Sequence, residues 1–137
     1  MRSNYLLLTL FALLLAACQP AVPGALPAGQ VVLNPGEAIA STDGRVSLTF
    51  LEVLEDSRCP ADALCVWQGN VSVLVEFSLG TETQQARLTL GEMLAGDVNS
   101  IQVSSTIVTL SDVQPYPLAS QPTDPADHEI TLTIANN

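Results

Sequence analysis

The sequence contains no lysine, and its positive charge rests on four arginines, of which Arg2 stands at the extreme N-terminus. Against them are 14 acidic residues, for a formal net charge of −10. Nucleic acid is excluded as a partner, because binding it requires a cationic footprint that displaces counterions. Attachment to anionic lipid through basic residues fails for the same reason. Histidine occurs once, as His128. A Ser–His–acid triad would have to use it, yet no serine stands in a G-x-S-x-G turn. Phosphate-cradling and dinucleotide-binding glycine motifs are also missing. Asp124, Asp127 and Glu129 cluster without the Asp-x-Asp-x-Asp-Gly pattern of a calcium loop, and read as a solvated turn. Paired carboxylates for glycoside hydrolysis are decided by separation in space, and scattered acids carry no such signal. The chain is therefore read as non-enzymatic, with no cofactor and no metal implied.

What is present begins with Met1-Arg2-Ser3-Asn4, an apolar run from Tyr5 to Leu15, and then Leu15-Ala16-Ala17-Cys18. A positive start, an apolar stretch of this length and small residues before a cleavage point describe a signal peptide over residues 1–17. The run is too short to span a bilayer, which takes about 20 apolar residues. Cys18 at the cleavage point, after Leu-Ala-Ala, looks like a bacterial lipobox, in which the thiol is acylated and the Cys becomes the mature N-terminus. That reading predicts attachment to a membrane through lipid on Cys18, outside the cytoplasm. The absence of Asp after the Cys, where Gln19 stands, favours the outer membrane in a cell with two membranes. Residues 18–30 (CQPAVPGALPAGQ) mix Pro, Gly and small side chains without apolar periodicity, and are expected to form an extended, mobile tether.

From Val31 to Asn137 the pattern is β. Val71, Val73, Val75, Phe77 and Leu79 alternate with Ser72, Leu74, Glu76 and Ser78, a period of two with one buried face. Ala86, Leu88 and Leu90 repeat it after Gly80-Thr81-Glu82-Thr83, which reads as a hairpin loop. Val46, Leu48 and Phe50 form a third set, and the phase shift to Val53 predicts a β-bulge near Leu51-Glu52. Asp43-Gly44 is a strong tight-turn signal, joining a strand at Glu37–Ser41 to one starting at Arg45. Further strands are expected at Ile101–Val103, Ile107–Val113 and Glu129–Ala135. Gly91–Gly96 (GEMLAG) is the only helix-like patch, at most one turn. Seven or eight short strands without crossover helices predict one all-β domain over residues 31–137, an antiparallel β-sandwich.

The segment Glu55–Asn70 (EDSRCPADALCVWQGN) concentrates the unusual residues: two of the three cysteines, the only tryptophan and Arg58. Cys59 and Cys65 are an even count in an oxidising compartment, so a disulfide is expected. Zinc would want four ligands where two thiols and one distant His128 are on offer. A thioredoxin-like redox pair would have two residues between the cysteines rather than five. Structural roles can be assigned around the bridge. Asp56 is placed to pair with Arg58 or bond loop amides, and Ser57 does so more weakly. Trp67 offers an apolar face to the disulfide, and Gly69-Asn70 a permissive backbone. The functional alternative makes Asp56, Arg58, Trp67, Gln68 and Asn70 a recognition patch on a stapled loop.

The run Asp56-Ser57-Arg58-Cys59-Pro60, followed by Cys65-Val66-Trp67 and Gly69, resembles a signature of small secreted proteins and lipoproteins from diverse bacteria. Leu110-Ser111-Asp112-Val113-Gln114-Pro115-Tyr116-Pro117 resembles a C-terminal feature of the same proteins, so the similarity would span roughly Val46 to Ile134. It implies an extracytoplasmic domain with a disulfide-bearing loop, and no particular chemistry. The expected function is a lipid-anchored binding module that holds an envelope or extracellular protein. A second expectation is inhibition of a secreted protease by the stiffened loop, since preorganisation lowers the entropy lost on binding, and a third, weaker one is an enzyme with an unrecognised site.

Overall fold

Alternating aliphatic and polar residues pair into sheets because period-two side chains point to opposite faces of a pleated strand. A computed structural model describes residues 24–137 and forms eight strands in two four-stranded antiparallel sheets. The expected signal peptide, Cys18 and the start of the expected tether lie outside the described residues. The strands are β1 (Gly29–Leu33), β2 (Ala38–Ala40), β3 (Val46–Asp56), β4 (Asn70–Leu79), β5 (Glu82–Gly91), β6 (Ser100–Val103), β7 (Thr106–Gln114) and β8 (Glu129–Asn136). One sheet runs in the order β1-β8-β7-β6 and the other β2-β3-β4-β5, which makes the fold the expected open sandwich.

The core follows from the inward positions. Val46, Leu48 and Phe50 of β3, Val71, Val73 and Val75 of β4 and Leu88 of β5 form one wall. Val108, Leu110 and Val113 of β7 meet Ile130, Leu132 and Ile134 of β8 in the other. The bulge near Leu51 is present, as the register passes from Phe50 opposite Val75 to Glu52 opposite Leu74. A second irregularity follows between Val53 and Glu55, and a third in β7 between Leu110 and Asp112. An extra residue in one strand increases its local twist and bend. These irregularities therefore sit where β3 and β7 leave the core for the end of the sandwich that carries the loops.

Three boundaries differ from expectation. The ordered domain begins before residue 31: Leu26 is buried, its amide donates to Thr106 Oγ1 (3.3 Å), and its carbonyl accepts from Asn136 Nδ2 (3.0 Å). Residues 24–30 are thus docked rather than a mobile tether, because one leucine among them fills an end of the core. Gly91–Gly96 forms no helix. Glycines with positive φ stand at both ends of it, and Asp97 takes the Leu94 amide (2.9 Å) to make a turn. The β4–β5 connection is also tighter than the four-residue loop expected, since Leu79 already pairs with Glu82 across Gly80-Thr81. Asp43-Gly44 does join β2 to β3, with Asp43 accepting from the Ser41 hydroxyl (2.7 Å) and the Arg45 amide (3.2 Å). A 3₁₀ turn at Pro125–Asp127, capped by Asp124 at the Ala126 amide, precedes β8.

Candidate functional site

Strands β3 and β4 are the arms of one long hairpin, and its end is the Cys-bearing segment. Pairing continues past the strands through Ser57 N to Asn70 O (2.8 Å) and Cys59 N to Gln68 O (2.8 Å). Gly69 is what allows this approach. Its φ is +73°, and a Cβ there would lie 1.9 Å from the Ser57 carbonyl oxygen. Cys59 and Cys65 form the disulfide, with Cα atoms 5.9 Å apart, and so close a short loop. Such bridges belong to oxidising compartments, so the domain resides outside the cytoplasm.

The loop is pinned from a second direction by the segment that follows β7. Asp62 accepts from the Ala119 amide (2.6 Å) and the Ser120 amide (3.0 Å), and Ala61 N donates to Pro117 O (3.0 Å). The Ser120 hydroxyl and these two amides hold the Asp62 carboxyl below its ordinary pKa. Bridge and brace leave the loop little freedom. Its apolar side chains nevertheless face water: Leu64 and Val66, on either side of Cys65, are fully exposed, and Trp67 keeps 41% of its surface.

Behind the loop, Arg58 closes the sandwich end and is only 8% exposed. Its Nε donates to Asp56 Oδ1 (2.8 Å) and Nη2 to Asp56 Oδ2. Nη1 reaches the Val113 carbonyl (2.6 Å) and Nη2 the Pro115 carbonyl (3.2 Å). The guanidinium carbon also lies 4.7 Å from the centre of the Tyr116 ring, on which a cation is favoured. One side chain thus ties β3 of one sheet to the end of β7 in the other. Burial pushes the Asp56 carboxyl upward, but hydrogen bonds and charge from Arg58, with a smaller part from His128, outweigh it and leave the pKa lowered. A charge this deep is tolerated because it is paired and its hydrogen bonds are filled.

His128 lies on the other side of Asp56, with Nε2 3.7 Å from Oδ2 and Nδ1 3.2 Å from the Pro125 carbonyl. Both ring contacts are therefore to an acid and a backbone carbonyl, with no serine hydroxyl bonded to it among the described residues. Beside this pair opens a cleft of about 300 Å³. Its walls come from Val53, Leu54, Pro117, Leu118, Pro122 and Pro125, and Glu55, Asp56, Thr123 and His128 supply its polar groups. A smaller cleft of about 150 Å³ adjoins it past Leu118, Pro122 and Thr123. No three His, Cys, Asp or Glu side chains converge as a metal site among the described residues.

The five residues of the expected recognition patch separate in space and in role. Asp56 and Arg58 are consumed by the clamp. Asn70 is buried and bonds the Glu92 carbonyl through Nδ2 (2.9 Å) and, through its own carbonyl, the Ser57 hydroxyl (3.1 Å). Only Trp67 and Gln68 remain on the surface. Arg58 is thereby corrected from a surface contact to an internal one, because four donors already have partners inside the fold. Sequence reasoning passed over Leu64 and Val66, whose signal was available: two aliphatic residues beside a cysteine in a loop too short to fold back on them. It also left His128 in a solvated turn, and no sequence pattern ties it to Asp56, 72 positions earlier. The stretches around Arg58 and around Pro115 meet in this clamp. Comparison of the chain with protein-family models, with curated proteins and with solved structures finds no match, so the functional reading rests on this geometry.

Proposed function

We propose that the protein is a non-enzymatic binding module of the bacterial cell envelope, held to its membrane by lipid on Cys18 and engaging a protein partner through the 59–68 loop. The observation that carries this is the pairing of rigidity with apolar exposure. Leu64 and Val66 are fully exposed, on a loop fastened by the Cys59–Cys65 bridge and by Asp62. Exposed aliphatic side chains contribute nothing to a core, and a contact made by a preorganised loop loses little conformational entropy. Trp67 adds the aromatic area common in interface hot spots. Four donors of Arg58 are turned inward, which leaves aliphatic and aromatic surface as the principal offering of the loop.

The test is photocrosslinking in the native cell from a probe residue at position 68, in the full chain and in a Leu64→Ser/Val66→Ser variant. Both substitutions lie on fully exposed positions, so folding is expected to be unchanged. Loss of the protein adducts in the variant supports the reading, and an unchanged set of adducts overturns it. The anchor is tested separately by Cys18→Ala, which is expected to release the processed protein from the membrane fraction. Retention there after signal cleavage would refute lipid attachment.

A further inference from the structure

The cleft beside Asp56 and His128 has a polar arrangement that folding alone leaves incomplete. The His128 ring is 5% exposed, and its Nδ1 faces the Pro125 carbonyl at 3.2 Å. A carbonyl only accepts, so in the neutral ring Nδ1 carries the hydrogen and Nε2 presents a lone pair. Among the described residues that nitrogen has no hydrogen-bond partner. Asp56 Oδ2 stands 3.7 Å away, beyond hydrogen-bond reach, and is itself an acceptor. No fully buried side-chain nitrogen or oxygen among the described residues lacks a partner, which places Nε2 against the cleft rather than inside the core.

Two acceptors 3.7 Å apart, on one side of an apolar cleft, call for a single donor that bonds both. A nitrogen about 2.9 Å from each completes the triangle. We propose that this cleft binds a primary alkylammonium group, with the nitrogen bridging His128 Nε2 and Asp56 Oδ2 and the methylene stem lying against Leu54, Leu118 and the prolines. Oδ2 already accepts from Arg58 Nη2 and retains a second lone pair. Arg58 offsets the charge of Asp56, and Arg87, 3.5 Å from Glu55, offsets that of Glu55, so the remaining attraction for a cation comes from Asp124 and Asp127 lining the adjoining cleft. A volume of about 300 Å³ holds a stem of several carbons. A compact ammonium suits this pair of acceptors better than a guanidinium, whose parallel N–H groups match the closer oxygens of one carboxylate.

The chain has no lysine, so no side chain of a second copy supplies the ligand. It comes from outside, either as a lysine of another polypeptide or as a free aliphatic amine. The site is independent of the loop contact proposed above, because neither Leu64 nor Val66 lines it.

The experiment is titration of the full chain, ¹⁵N-labelled at histidine, with 1-aminohexane, with 1,5-diaminopentane and with an acetylated, amidated Ala-Lys-Ala peptide. N-acetyl-1-aminohexane serves as the uncharged control. Saturable movement of the His128 Nε2 resonance by the amines, and none by the control, is the expected result. His128→Gln and the cleft-filling Leu54→Trp, both checked for folding by circular dichroism and titrated by calorimetry beside the parent because His128 is the only histidine, are each expected to weaken binding by about tenfold or more. Preference for the peptide assigns the site to a lysine-bearing polypeptide, and preference for the diamine to free amines. Either supports the shared chemistry. A resonance that stays still at millimolar amine, an equal response to the acetylated control, or undiminished affinity in both variants would overturn the proposal.

Discussion

Replacing Arg58 with Met tests how the two sheets are held together at the loop end. The substitution keeps much of the aliphatic stem and removes four hydrogen bonds, two to Asp56 and one each to the Val113 and Pro115 carbonyls. Breaking a buried ion pair from one side costs about 3–5 kcal/mol, since the other charge stays buried and uncompensated. Asp56 keeps 15% of its side-chain surface, so water relieves part of that cost and the lower end applies. The Val113 carbonyl lies in a buried residue and loses a partner that water cannot readily replace, which adds about 1 kcal/mol. A loss of about 3–4 kcal/mol is expected, and a urea slope of about 1.5 kcal/mol/M converts it to a midpoint lower by about 2 M. Urea titration followed by circular dichroism measures the shift directly. The double variant Asp56→Asn/Arg58→Met should recover part of it, because the stranded carboxylate is then gone. A single-variant shift under about 0.5 M, or a double variant no more stable than the single one, would show that the clamp is not a buried, mutually dependent pair.

Acid should weaken the domain through the same residue. A carboxyl held below its ordinary pKa stabilises the fold above that ordinary value, about 3.9 for Asp, and the contribution is lost as pH falls through the folded value. Asp56, Asp43, Asp62 and Glu37 are all lowered, so the urea midpoint is expected to drop between about pH 5 and pH 2. The pH dependence of Asp56→Asn should be shallower, and an equally steep loss would assign the effect to other groups. Reduction of Cys59–Cys65 removes a short loop closure worth about 2 kcal/mol. The melting temperature of the domain should therefore fall by about 10 °C with the sheets intact, and unfolding on reduction would give the bridge a larger role than loop closure allows. Gly69→Ala drives a Cβ against the Ser57 carbonyl and forces alanine to positive φ, for an expected loss of about 2–4 kcal/mol. Gly80→Ala, at positive φ but in open space, should cost only about 1–2 kcal/mol. Equal thermal shifts for the two variants would remove the close approach from the explanation.

The candidate site was legible where local pattern sufficed. The Cys59–Cys65 bridge follows from an even thiol count within seven residues, and Asp56–Arg58 from two opposite charges with one residue between them. The bulge near Leu51 showed as a phase slip between Phe50 and Val53. Illegible were the contacts that cross between sheets. Arg58 donates to carbonyls 55 and 57 positions away, and backbone carbonyls have no sequence signature. Leu26 looked like part of a Pro/Gly spacer because one leucine makes no period, yet a single buried leucine is enough to dock a segment.

By itself the sequence determined the sandwich, since alternation assigns each strand a buried face and the missing helices leave antiparallel pairing as the means of covering it. It also set the charge: without lysine, and with acids in excess, the chain carries a formal net charge of −10. Only the tertiary structure decided which polar residues are spent inside and which remain available. Arg58 was drawn inward because two strand ends leave carbonyls that need donors, whereas Leu64 and Val66 were left outside because the bridge and Asp62 hold their backbone away from any core. The placement of His128 Nε2 beside Asp56 depends on β8 and β3 meeting at one end of the sandwich, a juxtaposition created by packing between sheets rather than by any local pattern.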